Sequence, residues 1–273
     1  MTQGRLPVIF IPHGGGPWHV MPDDAFDPVG YPSLKQWLSG LGRFITPDVK
    51  AILVISAHWE EKHVTINFNE NPTLLYDYYG FPNYTYSLNW DIKGSSEIAT
   101  VVENTLAANG FDVDREYQRG LDHGVFVPLM VAFPRPQIPI VQLSLVNSLD
   151  PETHTKIGEA LQPLRDQGIL IIGSGMTYHN MRGFMATGTD AKLHAEKFDE
   201  WLVQAMSNPN PYERNALLAS WQNAPWAMEC HPRSEHLTPV FVTAGAAGNT
   251  KLGEVFNTHL MGMKVSGFIF VDS

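Results

Sequence analysis

Val54-Ile55-Ser56-Ala57-His58-Trp59-Glu60 decides the fold. An apolar run from Ala51 to Ile55 stops at a serine and then a histidine. Apolar residues without polar alternation mark a strand covered on both faces, the pattern of a parallel sheet in an α/β fold. The run predicts a strand over 51–56 that delivers an imidazole at its C-terminal end. The pattern occurs twice more. Val8-Ile9-Phe10-Ile11, in a strand over 7–11, runs into Pro12-His13-Gly14-Gly15-Gly16. Ile169-Leu170-Ile171-Ile172 runs into Gly173-Ser174-Gly175 and on to Tyr178-His179-Asn180. In such sheets ligands and chemistry collect beyond the carboxyl ends of the strands. Three parallel strands would therefore set His13, His58 and His179 along one rim, and a metal site is the leading expectation.

The segments between these runs read as helices. One is expected over 33–43, and one over 95–109 with Ser95 as N-cap and Asn109-Gly110 as its stop. A third starts at Asp150-Pro151 and ends near Asp166. An amphipathic helix covers 190–206, with Phe198, Leu202 and Met206 on one side, and a short one covers 212–219. Ser234 reads as an N-cap, with Glu235 and His236 in the first turn of a helix reaching Ala246. Further strands are expected at 138–143 and, alternating, at 265–271. Residues 59–93 are irregular and rich in aromatic side chains, and a loop of that length implies function. It reads as a pocket wall, a hydrophobic flap over the sheet, or part of a homodimer surface. The chain shows no repeat and no linker. The expectation is one α/β domain over 1–273, a mostly parallel central sheet flanked by helices, with the metal site at the C-terminal ends of the strands.

Composition narrows the partners. Lys and Arg number 18 against 28 Asp and Glu, a net charge of −10 with no basic cluster, which argues against nucleic acid and anionic membranes. No apolar run approaches the ~20 residues of a membrane span, and the N-terminus lacks a signal pattern. The lone Cys230 excludes an internal disulfide and suits a reducing, cytoplasmic setting. Eleven histidines against one cysteine favour iron(II), zinc or manganese held by nitrogen and oxygen.

A mononuclear site needs three protein ligands and open positions. His13 and His58 stand first, since each follows an apolar strand. His236 is the third candidate, with Glu235 and His231 as rivals. His179 and His123 are read as proton-transfer and substrate-orienting groups, because Asn180 and Asp122 stand beside them. His63, His154, His194 and His259 read as surface residues, and His19 as a loop residue within reach of the pocket. Cys230 reads as a small buried apolar residue. Gly14-Gly15-Gly16 lacks the lysine, hydroxyl and spacing of a phosphate loop.

Taken together, Pro12-His13-Gly14, Ser56-Ala57-His58-Trp59, Asp122-His123-Gly124, Gly173-Ser174-Gly175 through His179-Asn180, and Glu235-His236-Leu237-Thr238-Pro239 resemble the class III extradiol ring-cleavage dioxygenases. The similarity is greatest to the DOPA 4,5-extradiol dioxygenase branch and runs in order along most of the chain. It implies a non-haem iron(II) site at one end of an α/β sheet, with zinc as another metal found there, and a small aromatic diol and O2 as substrates. It makes His13, His58 and His236 metal ligands, with Glu235 the alternative third ligand. It makes His179 the acid/base group, able to approach the metal without substrate, and places His123 in the substrate and dioxygen pocket. Many relatives carry Gly-Ser-Pro after the first histidine; Gly14-Gly15-Gly16-Pro17 departs from that and alters the local pocket. Two other functions suit the same histidines: a zinc-dependent hydrolase, and a non-catalytic metal-binding scaffold.

Overall fold

The three apolar runs become neighbouring strands of one sheet. The computed structural model describes residues 5–23, 25–135, 138–185 and 190–271. In chain order its first half holds β1 (Val8–Pro12), α1 (Gly30–Ser39), β2 (Ala51–Glu61), β3 (Val64–Asn67), α2 (Ser96–Ala108), β4 (Val113–Glu116) and α3 (His123–Ala132). The second half holds β5 (Ile140–Val146), α4 (Pro151–Leu161), β6 (Ile169–Gly175), α5 (Met181–Phe184), α6 (Asp190–Met206), α7 (Pro211–Ala219), α8 (Ala227–Cys230), α9 (Thr238–Ala247), β7 (Leu252–Leu260) and β8 (Met263–Phe270).

The eight strands lie in the order β4-β3-β5-β2-β6-β1-β8-β7. The centre is parallel: β5 with β2, β2 with β6, and β6 with β1. The edges are mixed, because β8 runs antiparallel to both β1 and β7, and β3 antiparallel to β5. Every residue of β1 and β6 is buried. α3 packs on β2, while α9 lies against β6 and β1, so these strands have no solvated face and read as unbroken apolar runs. One hydrophobic cluster extends across the sheet and its helices. No helix among the described residues is long and apolar enough to cross a membrane.

Several expectations shift. The strand begun at Ala51 does not end at 56; it continues to Glu61 after its register with β5 jumps between Ile55 and Glu60, and His58 stands inside that irregularity. The helix expected over 33–43 starts at Gly30 and tightens into a 3-10 turn over Gly40–Phe44. The helix after Asp150 ends at Leu161 and continues as a 3-10 segment to Gln167. Ser234 caps no helix side-on. Its carbonyl closes a turn with the N–H groups of Leu237 and Thr238, and α9 starts at Thr238, where Pro239 lacks an N–H that a helix interior would need. β8 does not alternate, because α6 covers one face and the Trp37 indole presses on Gly267 from the other. Strand β3 falls in the segment read as irregular, and β4 and β7 fall where no element was expected. His154, read as a surface residue, is fully buried. Its Nδ1–H donates to the Asp150 carbonyl at 2.8 Å, and its Nε2 accepts the Val146 N–H at 3.1 Å. It therefore joins the start of α4 to the end of β5.

Candidate metal centre

His13 is the first residue beyond β1, and its N–H donates to the Gly175 carbonyl at the end of β6, at 3.1 Å. His179 follows β6, and its N–H donates to the Cys230 carbonyl at 3.0 Å. His236 is tied to the same exit, because its carbonyl accepts the Met176 N–H at 2.9 Å. That approach needs the glycine at 175: a Cβ there would lie 2.2 Å from the His236 oxygen. His123 opens α3. Its neighbour Gly124 lies so close to β2 that a Cβ would meet Ser56 Oγ at 2.7 Å and His58 Cδ2 at 2.8 Å.

These five histidines converge. Ring centroids of His13, His58 and His236 form a near-equilateral triangle with sides of 4.9, 5.2 and 4.8 Å. His123 lies 4.0 Å from His58 and 5.4 Å from His13. His179 stacks on His236 at 3.3 Å. Side-chain donor atoms of His13, His58 and His123 lie within 4.8 Å of one another, and so do those of His179, Glu235 and His236. The two triples share one cluster, and the triangle of His13, His58 and His236 takes members from both.

The free nitrogens indicate which residues face inward. His13 donates Nδ1–H to the Gly14 carbonyl at 2.7 Å, which leaves Nε2 as a lone pair. That atom and His58 Nε2 are buried without a hydrogen-bond partner. Buried polar atoms are rarely left so. Burial, reinforced by the neighbouring His123, pushes His13 down to about 3. Burial and the surrounding imidazoles hold His58 and His236 well below the usual histidine value. All three are neutral, the form that ligates. Three imidazoles bound at ~2.1 Å to one ion would set their centroids about 5 Å apart, so the triangle fits a mononuclear metal.

Two carboxylates back the rings. Glu235 Oε1 accepts His236 Nδ1–H at 2.8 Å and lies 3.2 Å from His179 Nδ1. Its other oxygen is 3.4 Å from Arg233, which also grips Glu60. Burial opposes the Glu235 charge, but His179 and Arg233 outweigh it and hold the carboxyl below its usual range. Asp77 Oδ1 accepts both the N–H and the Nδ1–H of His123, at 2.9 and 2.8 Å, and Oδ2 lies 3.7 Å from His58 Nδ1. Burial opposes its charge too, and the bonds from His123 prevail.

The chain neighbours on which the roles of His179 and His123 rested are engaged elsewhere. Asn180 Oδ1 caps α5 through the N–H groups of Arg182 and Gly183. Asp122 turns beneath His58, accepting from Ser56 Oγ at 2.6 Å and Gln142 Nε2 at 2.5 Å. Glu235 and Asp77 stand in their places. His231 is buried and donates Nε2–H to the Thr177 carbonyl at 3.0 Å. His19 packs near Phe126, with both ring nitrogens buried and unpartnered. His63 and His259 are half-exposed on Asp114 and Glu196, and His194 stacks on Trp226. Cys230 is fully buried, and burial pushes its thiol up to about 12.

The aromatic segment lies as a flap against α3. Tyr76 and Tyr78 pack on Phe126 of α3, and the Tyr78 ring lies 6.0 Å from His123. Tyr79 faces solvent. Asp77 was missed by sequence reasoning; its only signal was an acid inside the run Tyr76-Asp77-Tyr78-Tyr79. The arrangement sets neutral imidazoles that could hold a metal ion beside two imidazole–carboxylate pairs and a group of aromatic rings.

A family model described as the catalytic LigB subunit of aromatic ring-opening dioxygenase matches residues 7–269. The chain is 39% identical over 227 residues to a 4,5-DOPA dioxygenase extradiol of Beta vulgaris, covering 83% of this chain and 84% of that protein. It is 35% identical to the dioxygenase tasH of Hapsidospora irregularis, covering 96% and 85%. With a 4,5-DOPA dioxygenase extradiol of Escherichia coli it shares 30% over 90% and 87%. The crystal structure of an uncharacterized Escherichia coli K12 protein superposes with a TM-score of 0.77 at 25% identity, covering 97% of this chain and 100% of that one.

Proposed function

The chain belongs to the LigB family of aromatic ring-opening dioxygenases, and from that premise we propose that it cleaves a catecholic ring beside its diol. Both atoms of O2 enter the product, at a non-haem iron(II) held by His13, His58 and His236. The observation that carries the ligand set is the pair of buried, unpartnered Nε2 atoms on His13 and His58, closed into a triangle by His236. Glu235 is assigned behind the ligands, since one of its oxygens already serves His236 and His179.

Bound iron(II) would supply adjacent positions for the diol and dioxygen and relax the spin barrier between O2 and a closed-shell organic molecule. The remaining work falls to the chain. His179 takes a proton from a catechol hydroxyl, with Glu235 beside its Nδ1 to balance the charge. His123 faces the same space and orients the reacting oxygens by hydrogen bonding. Tyr78 and Phe126 form the apolar wall against which an aromatic ring packs. The lone buried Cys230 suits a reducing cytoplasm, where iron(II) is retained.

The test is reconstitution of metal-free protein under anaerobic conditions with Fe(II) or, in parallel, Zn(II). A panel of catechols including DOPA and protocatechuate is added before air is admitted. The expected result is oxygen uptake equimolar with substrate and a yellow ring-opened product in the iron sample alone. Full iron occupancy with no uptake on any catechol, beside ester or amide hydrolysis by the zinc sample, would replace the dioxygenase reading with a hydrolase.

A further inference from the structure

We propose that Asp77 is a positioning residue for His123: a carboxylate carried by the aromatic flap that caps α3 and sets which ring nitrogen of His123 faces the metal centre. The inference rests on the reading of the site proposed above.

The N-terminal cap of α3 is displaced. Asp122 occupies the N-cap position of α3, where aspartate is among the favoured residues, yet its side chain makes no capping bond. It is fully buried and spends its oxygens on Ser56, Gln142 and Arg119. The first turn of the helix still presents N–H groups without intrahelical partners. Asp77, 46 residues upstream, supplies the acceptor to the His123 N–H at 2.9 Å.

The same oxygen, Oδ1, also accepts the Nδ1–H of His123 at 2.8 Å. A carboxylate only accepts, so the neutral ring carries its proton on Nδ1 and turns the Nε2 lone pair away from Asp77. His123 so held accepts a proton at Nε2 and, once charged, donates from it, with Asp77 across the ring. With Asp77 it forms a second imidazole–carboxylate pair beside His58 and His13. Tyr76 and Tyr78 flank Asp77 and pack on Phe126 of α3, so the flap is anchored on the first turn of α3. The placement of His123 therefore depends on the flap.

The experiment compares Asp77→Asn and Asp77→Ala in the full chain. Asparagine keeps an oxygen for the His123 N–H and removes the charge; alanine removes both. Imidazole 15N NMR of the zinc-loaded, diamagnetic protein, assigned with His123→Ala, reads the tautomer. The wild type is expected to show His123 protonated on Nδ1, and Asp77→Ala a mixture or the other tautomer. In the iron-loaded enzyme, metal content should stay at the wild-type level in both variants. Outer groups of this kind typically account for ~10–100-fold in activity, so kcat should fall about tenfold in Asp77→Asn and about 100-fold in Asp77→Ala, with KM changed less than about threefold. An unchanged tautomer with unchanged kcat in Asp77→Ala overturns the proposal. So does loss of metal and of folding in both variants, which would make Asp77 merely structural. The tautomer is read without turnover, so a wild type that cleaves no catechol would sink the reaction while leaving the Asp77 assignment to the NMR result.

Discussion

Five imidazoles at ring-contact distance would repel one another if protonated. Burial prevents this for the three that form the triangle, keeping them neutral. Their assigned roles predict opposite losses. His58→Ala removes a nitrogen with no protein partner, so it should leave dialysed protein without bound iron. His179→Ala removes a group stacked on His236 and paired with Glu235. It should keep its metal while kcat falls ~10²–10⁴-fold, the usual range for a lost acid/base group. Metal analysis and an oxygen electrode check both. His13, His58 and His179 were legible in the sequence because each follows the end of an apolar strand. The carboxylate partners of His123 and His179 were not, because adjacency in the chain pointed to Asp122 and Asn180 while the contacts are made by Asp77 and Glu235.

At the scale of elements, the site depends on how closely α3 settles on β2. Gly124 is the point of contact, and the added methyl of Gly124→Ala would press on Ser56 Oγ and His58 Cδ2. Overpacking of this kind costs about 1–3 kcal/mol, so denaturant unfolding should show that loss of stability. Iron titration should show weaker binding, because His58 is displaced with the strand. Unchanged affinity would mean that α3 and the ligand strand are mechanically separate. The buried strands β1, β2 and β6 were readable because continuous burial leaves a continuous apolar run. Strands β3 and β4 were not, having four residues each, with polar positions that fit a loop equally well. Edge strand β7 was not readable either, because it is half solvated and its polar positions break up the apolar run.

Across the whole molecule the buried histidines set an acid limit. His13 titrates at about 3, and His19 and His231 at about 4, each against 6.5 for an unconstrained side chain, all through burial first. Below 6.5 the unfolded chain binds protons that the folded chain refuses, so stability falls as pH drops and is restored as it rises. The melting temperature of metal-free protein should therefore decline steadily from about pH 7 to about pH 5; a flat profile by calorimetry would show that these rings are solvated. The amino-acid sequence by itself determined the α/β class, the parallel centre of the sheet and the candidate histidines, because burial on both faces and a polar stop at a strand end are local patterns. Only the tertiary structure decided which nitrogens face inward, that Glu235 and Asp77 stand behind them, and that the irregularity in β2 holds His58. Those depend on hydrogen bonds and contacts between segments far apart in the chain, which no local pattern encodes.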